Sequence, residues 1–209
     1  LRVSIDDIDR TIVDALNRRA KLAIEVGEVK KLTDAPVYRP EREAQIMTRL
    51  RERNPGPLPG AAIEAIYREV VSACREIERR MRVAFLGPPG TFSELALHKH
   101  FGSAVDAVPC ASIDEVFRAT QAGSADFGIV PVENSSEGAV NRSLDLFLQS
   151  PLLISGEVSL PVQHNLLSLS GEMADVKRVC AHAQALAQCQ GWLDHHAHGI
   201  ERVPVSSNA

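Results

Sequence analysis

Residues 1–33, LRVSIDDIDRTIVDALNRRAKLAIEVGEVKKLT, limit what this chain can fold into more than any other stretch, because they read as one long amphipathic helix with misplaced charges. On a heptad, Ile5, Ile8, Ile12, Ala15, Leu22, Val26 and Val29 fill one inward seam, and Arg19 is the charged residue inside that series. Lys30 follows eleven residues after Arg19, about three turns on and within roughly 20° of the same azimuth. Cations on such a face are costly unless acidic side chains or an anionic ligand meet them. The helix also has a length problem. At about 30 residues it extends roughly 45 Å, and two shorter helices from the same chain cannot cover it, so self-association is expected.

Those shorter helices come next. One starts at Pro40, a good first helical residue, and runs to about 53 with Ile46, Met47 and Leu50 inward. The first helix is expected to stop near 33–36, where a turn residue and Pro36 interrupt the pattern. After the proline- and glycine-rich break at 54–60, a third helix to about 81 carries Ile63, Ile66, Val70, Cys74, Ile77 and Met81 on one stripe, with Tyr67, Val71 and Glu78 beside it.

At Val83 the pattern becomes that of an α/β chain. Strands are expected at 83–86, 105–108, 127–130, 152–158, 176–181 and 200–205, with an extended segment at 162–169. Helices are expected from Thr91-Phe-Ser-Glu94 and Ser112-Ile-Asp-Glu115, both with the spacing of a capping box, and over 138–149 and 184–193. Such alternation predicts a mostly parallel sheet. The fold class is therefore multidomain, α plus α/β, with domains at 1–81 and 82–209. No linker separates them, so close coupling is expected.

The halves also differ in charge. Residues 1–80 hold 16 Lys+Arg against 14 Asp+Glu, whereas residues 81–209 hold 7 against 13, with all seven histidines and all six phenylalanines. A net charge of −4 gives no reason to expect nucleic acid or an anionic membrane as partner. No apolar run is long enough to span a bilayer, and Cys74, Cys110, Cys180 and Cys189 form no CxxC pair, which suits a reducing cytoplasm. The absent initiator Met suggests a trimmed start. His182, Asp194, His195, His196 and His198 have no common metal-ligand spacing and read as a solvated helix end. Tyr67, Phe117 and Trp192 read as core.

In the helical unit the polar residues on or beside the apolar stripes are Arg19, Lys30, Arg42, Glu43, Cys74 and Glu78. Arg42 lies one turn before Ile46 and Glu43 one turn before Met47, so both can face inward. Three cations and two carboxyl groups would suit a small dicarboxylate. They would equally form internal ion pairs, and spacing alone leaves both readings open.

The segments Leu1-Arg2, Asn17-Arg-Arg-Ala-Lys-Leu-Ala-Ile-Glu-Val-Gly27 through Lys30, Val37-Tyr-Arg-Pro-Glu-Arg-Glu43 and Ile66-Tyr-Arg-Glu-Val-Val-Ser-Ala-Cys74 through Glu78 resemble the all-helical chorismate mutase family, an intertwined homodimer. The resemblance implies conversion of chorismate to prephenate by a pericyclic rearrangement that needs no cofactor or metal. It implies Arg19, Lys30 and Glu78 as catalytic residues, and Arg2, Arg39, Arg42, Glu43 and Cys74 as further chorismate-pocket residues. Arg2 would come from the partner, and Cys74 would serve in packing. Arg2 and Arg19 are seventeen residues apart, about 25 Å along one helix, so one chain cannot bring both to one small ligand. Some relatives carry Gln at position 78. Because an ionised carboxylate cannot donate a hydrogen bond, Glu78 is expected to work as the neutral acid, with turnover falling above neutrality.

In the α/β unit, Gly87-Pro-Pro-Gly-Thr-Phe-Ser93 and Pro131-Val-Glu-Asn-Ser-Ser-Glu-Gly138 each leave a strand and precede a helix, a placement that can offer amides and hydroxyls to an anion or merely cap a helix. Together with Gln163-His-Asn-Leu-Leu167 and His182-Ala-Gln-Ala-Leu-Ala-Gln-Cys189 they resemble the prephenate dehydratase family, a two-lobed fold like type II solute-binding proteins. That resemblance implies Thr91, Ser93, Asn134 and Ser135 as prephenate contacts, with Glu133 and His164 as further candidates, and phenylpyruvate, water and CO2 as products. The family has Ser-His-Pro-Gln where this chain has Ala181-His-Ala-Gln184, and it continues past Ala209 into the rest of its second lobe and a phenylalanine-sensing domain. A polypeptide ending at Ala209 is expected to show no dehydratase turnover and no feedback by phenylalanine. The alternative from another class is a non-catalytic prephenate-binding module with a helical dimerisation domain.

Overall fold

The computed structural model describes residues 1–33, 38–135 and 138–206. Helix α1 spans Arg2–Thr33, α2 Pro40–Glu52 and α3 Gly60–Glu78. The expected stop of α1 at 34–36 lies outside the described residues. Only the C-terminal half of α1 meets α3: Gly27 is buried there and Arg19 and Lys30 are half-buried. The rest of the seam is not inward within this chain. Ile5, Ile8, Ile12, Leu22, Val26 and Val29 are 50–62% exposed, which leaves the apolar face of a 32-residue helix uncovered. The stripe of α3 is likewise incomplete, with Val71 and Cys74 buried but Ile66 and Ile77 more than half exposed.

The chain then enters a three-stranded parallel sheet in the order β2-β1-β3, made of β1 Arg82–Leu86, β2 Asp106–Cys110 and β3 Phe127–Ile129. Helices α4 Phe92–Phe101 and α5 Ile113–Gln121 pack against it. Val83, Phe85, Leu97, Phe101 and Val105 form one side of the core, and Ala84, Cys110, Val116 and Ala125 the other. Strands β4 Glu133–Asn134 and β5 Gly138–Ala139 pair antiparallel ahead of α6 Asn141–Gln149. A separate parallel pair, β6 Arg178–His182 and β7 Glu201–Val205, encloses α7 Ala183–Gln188 and α8 Gln190–His196 in sequence.

Several expectations need correction here. No strand forms at 152–158, where Leu153 and Ile154 are strongly exposed, and the extended segment expected at 162–169 carries no regular element over 162–168, with Leu167 and Leu169 strongly exposed. A strand exists only as a pairing, and no described strand lies beside this run. The helix expected over 184–193 is two helices that meet at Cys189, which serves as C-cap of one and N-cap of the next. Ser112 caps α5 as its pattern predicts, accepting from the Glu115 amide at 3.2 Å. Thr91 does not cap α4: its hydroxyl donates to the Leu86 carbonyl at 3.2 Å, and Glu94 takes the Gly90 amide at 2.6 Å. Trp192 is not core. It is 47% exposed and stacks on His196 at the end of α8.

The helical and α/β units meet along a tight seam. Ser72 of α3 is fully buried and accepts from the Ala104 amide at 3.1 Å, and Glu69 accepts from both the amide and the hydroxyl of Ser103. Arg79 pairs with Asp126, whose other oxygen takes the Arg82 amide at 2.8 Å. Tyr38, just ahead of α2, is buried in the α/β core against Phe101 and Phe127, and its hydroxyl shares a 3.1 Å hydrogen bond with His100.

Candidate active sites

The candidate site in the helical unit forms where α1, α2 and α3 converge. Gly27 makes it possible: a Cβ there would lie 3.0 Å from Glu78 Cγ, so the bare backbone lets the Glu78 side chain lie across α1. One turn further along α1, Lys30 Nζ donates to Glu78 Oε2 at 3.1 Å, with 21% and 8% of the two side chains exposed. Cys74, one turn before Glu78 on α3, is buried. Glu78 is thus the acceptor of an ammonium donor.

Glu43 enters from the first turn of α2, where Pro40 starts the helix. Burial pushes its carboxyl above the usual 4.5, and Arg75, Arg19, Arg68 and Lys30 oppose that shift in this order. Two carboxyl groups and four cations therefore share one region, with Arg19 and Lys30 supplied by α1 and Arg68 and Arg75 by α3. Arg42 does not join them. Adjacent helical residues point about 100° apart, and with Glu43 turned in, Arg42 is exposed, as is Arg39 at the N-cap of α2. Arg2 is exposed at the far end of α1.

Sequence reasoning missed Arg75, Arg68 and Tyr38 in this region. Arg75 is only 6% exposed, its Nε lies 3.3 Å from Glu43 Oε1, and its guanidinium stands 5.1 Å over the Tyr38 ring. Burial first and the Glu43 charge second push the Tyr38 hydroxyl up to about 12. Burial, Arg68 and Arg75 hold His100 below its usual range. Shallow depressions on the outer faces of α2, at Glu41, Gln45 and Arg49, and of α1, at Asp14, Asn17 and Arg18, include none of Lys30, Glu43 and Glu78.

The second candidate site lies where loops of the three-stranded sheet face α7. Asn134 Oδ1 accepts from Gln188 Nε2 at 3.2 Å, Gln188 Oε1 accepts from His164 Nε2 at 2.8 Å, and the His164 ring meets Phe92 edge-on at 5.8 Å. Phe92 stands between Thr91 and Ser93, so this chain of contacts joins the two loops singled out in the sequence. Thr91 and Ser93 are half-buried, and Ser135 and Glu133 are exposed. Gln188 and Phe92 are the residues that sequence reasoning passed over, although both fall inside the quoted segments.

Comparison with known proteins bears on both sites. Residues 1–79 match the sequence model of chorismate mutase type II, and residues 83–209 that of prephenate dehydratase. The bifunctional chorismate mutase/prephenate dehydratase of Stutzerimonas stutzeri is 49% identical over 215 residues, and that of Pseudomonas aeruginosa 47%; each alignment takes in 100% of this chain and 59% of the relative. The chain thus spans about three-fifths of the length of these curated relatives. Among solved structures, the prephenate dehydratase of Staphylococcus aureus aligns with a TM-score of 0.53 at 30% identity, covering 61% of this chain and 48% of that one. With both sequence models matched in series along its length, the chain belongs to the bifunctional chorismate mutase/prephenate dehydratase family.

Proposed function

We propose that residues 1–81 are a chorismate mutase unit and residues 82–209 a portion of a prephenate dehydratase unit, acting in phenylalanine biosynthesis in the cytoplasm. The observation that carries this reading is the half-buried Lys30–Glu78 pair beside Glu43 and Arg19. A single Claisen-type rearrangement of chorismate requires no nucleophile and no net proton transfer. It requires that the enolpyruvyl arm be held over the ring and that negative charge on the breaking C–O bond be stabilised. Lys30 is the donor for that ether oxygen, Glu78 holds it in place, Arg19 takes a substrate carboxylate and Glu43 the ring hydroxyl. Cys74 packs beside Glu78 on α3, Arg39 and Arg42 stay outside this cluster, and Arg2 arrives from a second chain.

The uncovered face of α1 supports an intertwined homodimer. Ile5, Ile8, Ile12, Leu22, Val26 and Val29 would all be buried by a second α1, which would also close the pocket over Arg19 and Lys30. In the α/β unit, arranged as in the two-lobed type II solute-binding fold, Thr91, Ser93, Asn134 and Ser135 contact prephenate, while Gln188 and His164 brace Asn134. The substrates are chorismate and prephenate, and no cofactor, nucleic acid or membrane is required.

Chorismate consumption by the purified chain tests this directly. Native protein should convert chorismate to prephenate, and Arg19→Ala and Lys30→Ala should each abolish conversion without altering the dimer seen by sedimentation. A native chain that dimerises but leaves chorismate untouched would favour a binding module with a helical dimerisation domain.

A further inference from the structure

We propose that Arg75 is a positioning residue of the chorismate pocket, and that its guanidinium, anchored in the α/β unit, fixes where the Glu43 carboxylate stands. The inference rests on the reading of residues 1–81 as a mutase. Arg75 follows Cys74 on α3 and is more than nine-tenths buried. Its Nη2 donates to the Phe101 carbonyl at the end of α4, Nη1 faces Met81 Sδ at 4.0 Å, and the Tyr38 ring covers the plane. Three sides of the head group are thus held by residues of the α/β core or packed into it. What is left is the Nε edge, and that edge faces Glu43 at 3.3 Å.

The geometry of that edge separates positioning from plain packing. Nε is buried and makes no hydrogen bond, although a carboxylate oxygen is within reach. Buried donors are nearly always hydrogen-bonded, and an Arg–carboxylate pair kept only for the fold would close into the aligned fork such pairs favour. Here the guanidinium has used its ends on Phe101 and Met81, so it presents charge to Glu43 without tying the carboxylate down. Glu43 stays near Arg75 with its oxygens available to a substrate hydroxyl.

Glu43 is faced by Arg75 and Arg68 from α3 and by Arg19 and Lys30 from α1, and it acts in turn on the Tyr38 hydroxyl, which Glu41 also reaches. Of the four cations Arg75 pulls hardest against the burial that raises the Glu43 carboxyl above 4.5. Removing Arg75 therefore has two separable effects. The carboxylate loses its locating charge, and it protonates at higher pH.

Steady-state mutase kinetics on the full chain from pH 4.5 to 8, with thermal unfolding alongside, test the proposal. Arg75→Met should raise KM for chorismate about tenfold or more at neutral pH with a smaller loss in kcat, because a contact to a remote hydroxyl serves ground and transition states alike. The acid limb of kcat/KM should move to higher pH. Arg75→Lys keeps the charge but not the planar head, so it should return the acid limb toward the native position while KM stays raised. A folded Arg75→Met chain with native KM and a native acid limb overturns the proposal. If Arg75→Met does not fold, Arg75→Lys decides: a native KM there overturns it. Failure of the native chain to consume chorismate is a different outcome, which removes the mutase reading itself.

Discussion

Substituting Gly102 by alanine probes the seam between the helical and α/β units. Gly102 ends α4 with φ 82° and ψ −179°, a conformation essentially confined to glycine, and its amide closes the helix onto the His98 carbonyl at 2.9 Å. A Cβ there would stand 2.6 Å from Ser72 Oγ, closer still to Ser72 Cβ, and 3.4 Å from the Arg68 carbonyl. Ser72 cannot move away, because it is fully buried and its hydroxyl holds the Ala104 amide. The backbone strain costs about 1–3 kcal/mol, and overpacking a filled seam about 1–3 kcal/mol more. For a chain of this length each kcal/mol lowers the melting temperature by about 2–4 °C, so Gly102→Ala should melt roughly 4–24 °C below native. Repeating the change in a Ser72→Gly background separates the two parts: the overlap disappears and only the backbone strain remains. Calorimetry or circular dichroism melts of the four proteins read this out. An unchanged melting temperature for Gly102→Ala, or the same loss in both backgrounds, would refute the tight seam.

Two further outcomes follow from the site itself. Gly27→Ala adds about 1 kcal/mol of helix propensity, yet its Cβ would press on Glu78 Cγ at 3.0 Å and push the carboxyl off Lys30. Mutase kcat should fall while the melting temperature holds or rises; equal activity would show that the Glu78 position is not critical. The Glu43 carboxyl is raised by burial above 4.5, so the folded chain holds this proton more tightly than the unfolded chain does, and stability declines as pH climbs through the window above 4.5. The stability of Glu43→Gln relative to native should therefore be smallest near about pH 4 and grow in the variant's favour toward neutrality. A pH-independent difference in urea midpoint would contradict that sign.

Local patterns in the sequence carried most of the architecture. The 3.6-residue period and Pro40 placed α1, α2 and α3 within a few residues, and the short apolar runs at 83–86 and 127–130 became neighbouring strands of one sheet. What failed did so because the deciding partner was remote. The seam of α1 is apolar as written, but the described residues of this chain leave it uncovered. The run at 152–158 has strand composition and no described strand beside it. Thr91 and Glu94 have capping-box spacing, yet the Leu86 carbonyl and Gly90 amide claimed them. In the helical site, Arg19, Lys30, Glu43 and Glu78 could be picked out because charges on apolar stripes stand out. Arg42 shared that signal and is exposed. Arg75 and Tyr38 gave no local signal, because the groups that fix them, the Phe101 carbonyl and His100, lie 26 and 62 residues away.

The central claim is that each mutase pocket takes Arg19 and Lys30 from one chain and Arg2 from the other. Mixing Arg2→Ala and Arg19→Ala chains tests it most directly, with the two refolded together so that their dimers form at random. Each parent should be inactive, for each lacks one clamp in both pockets. Half of the mixed population pairs unlike chains, and in each such dimer one pocket is intact and the other lacks both arginines. Chorismate consumption should therefore recover to about a quarter of the native rate. A mixture no more active than the average of its parents would contradict the shared pocket.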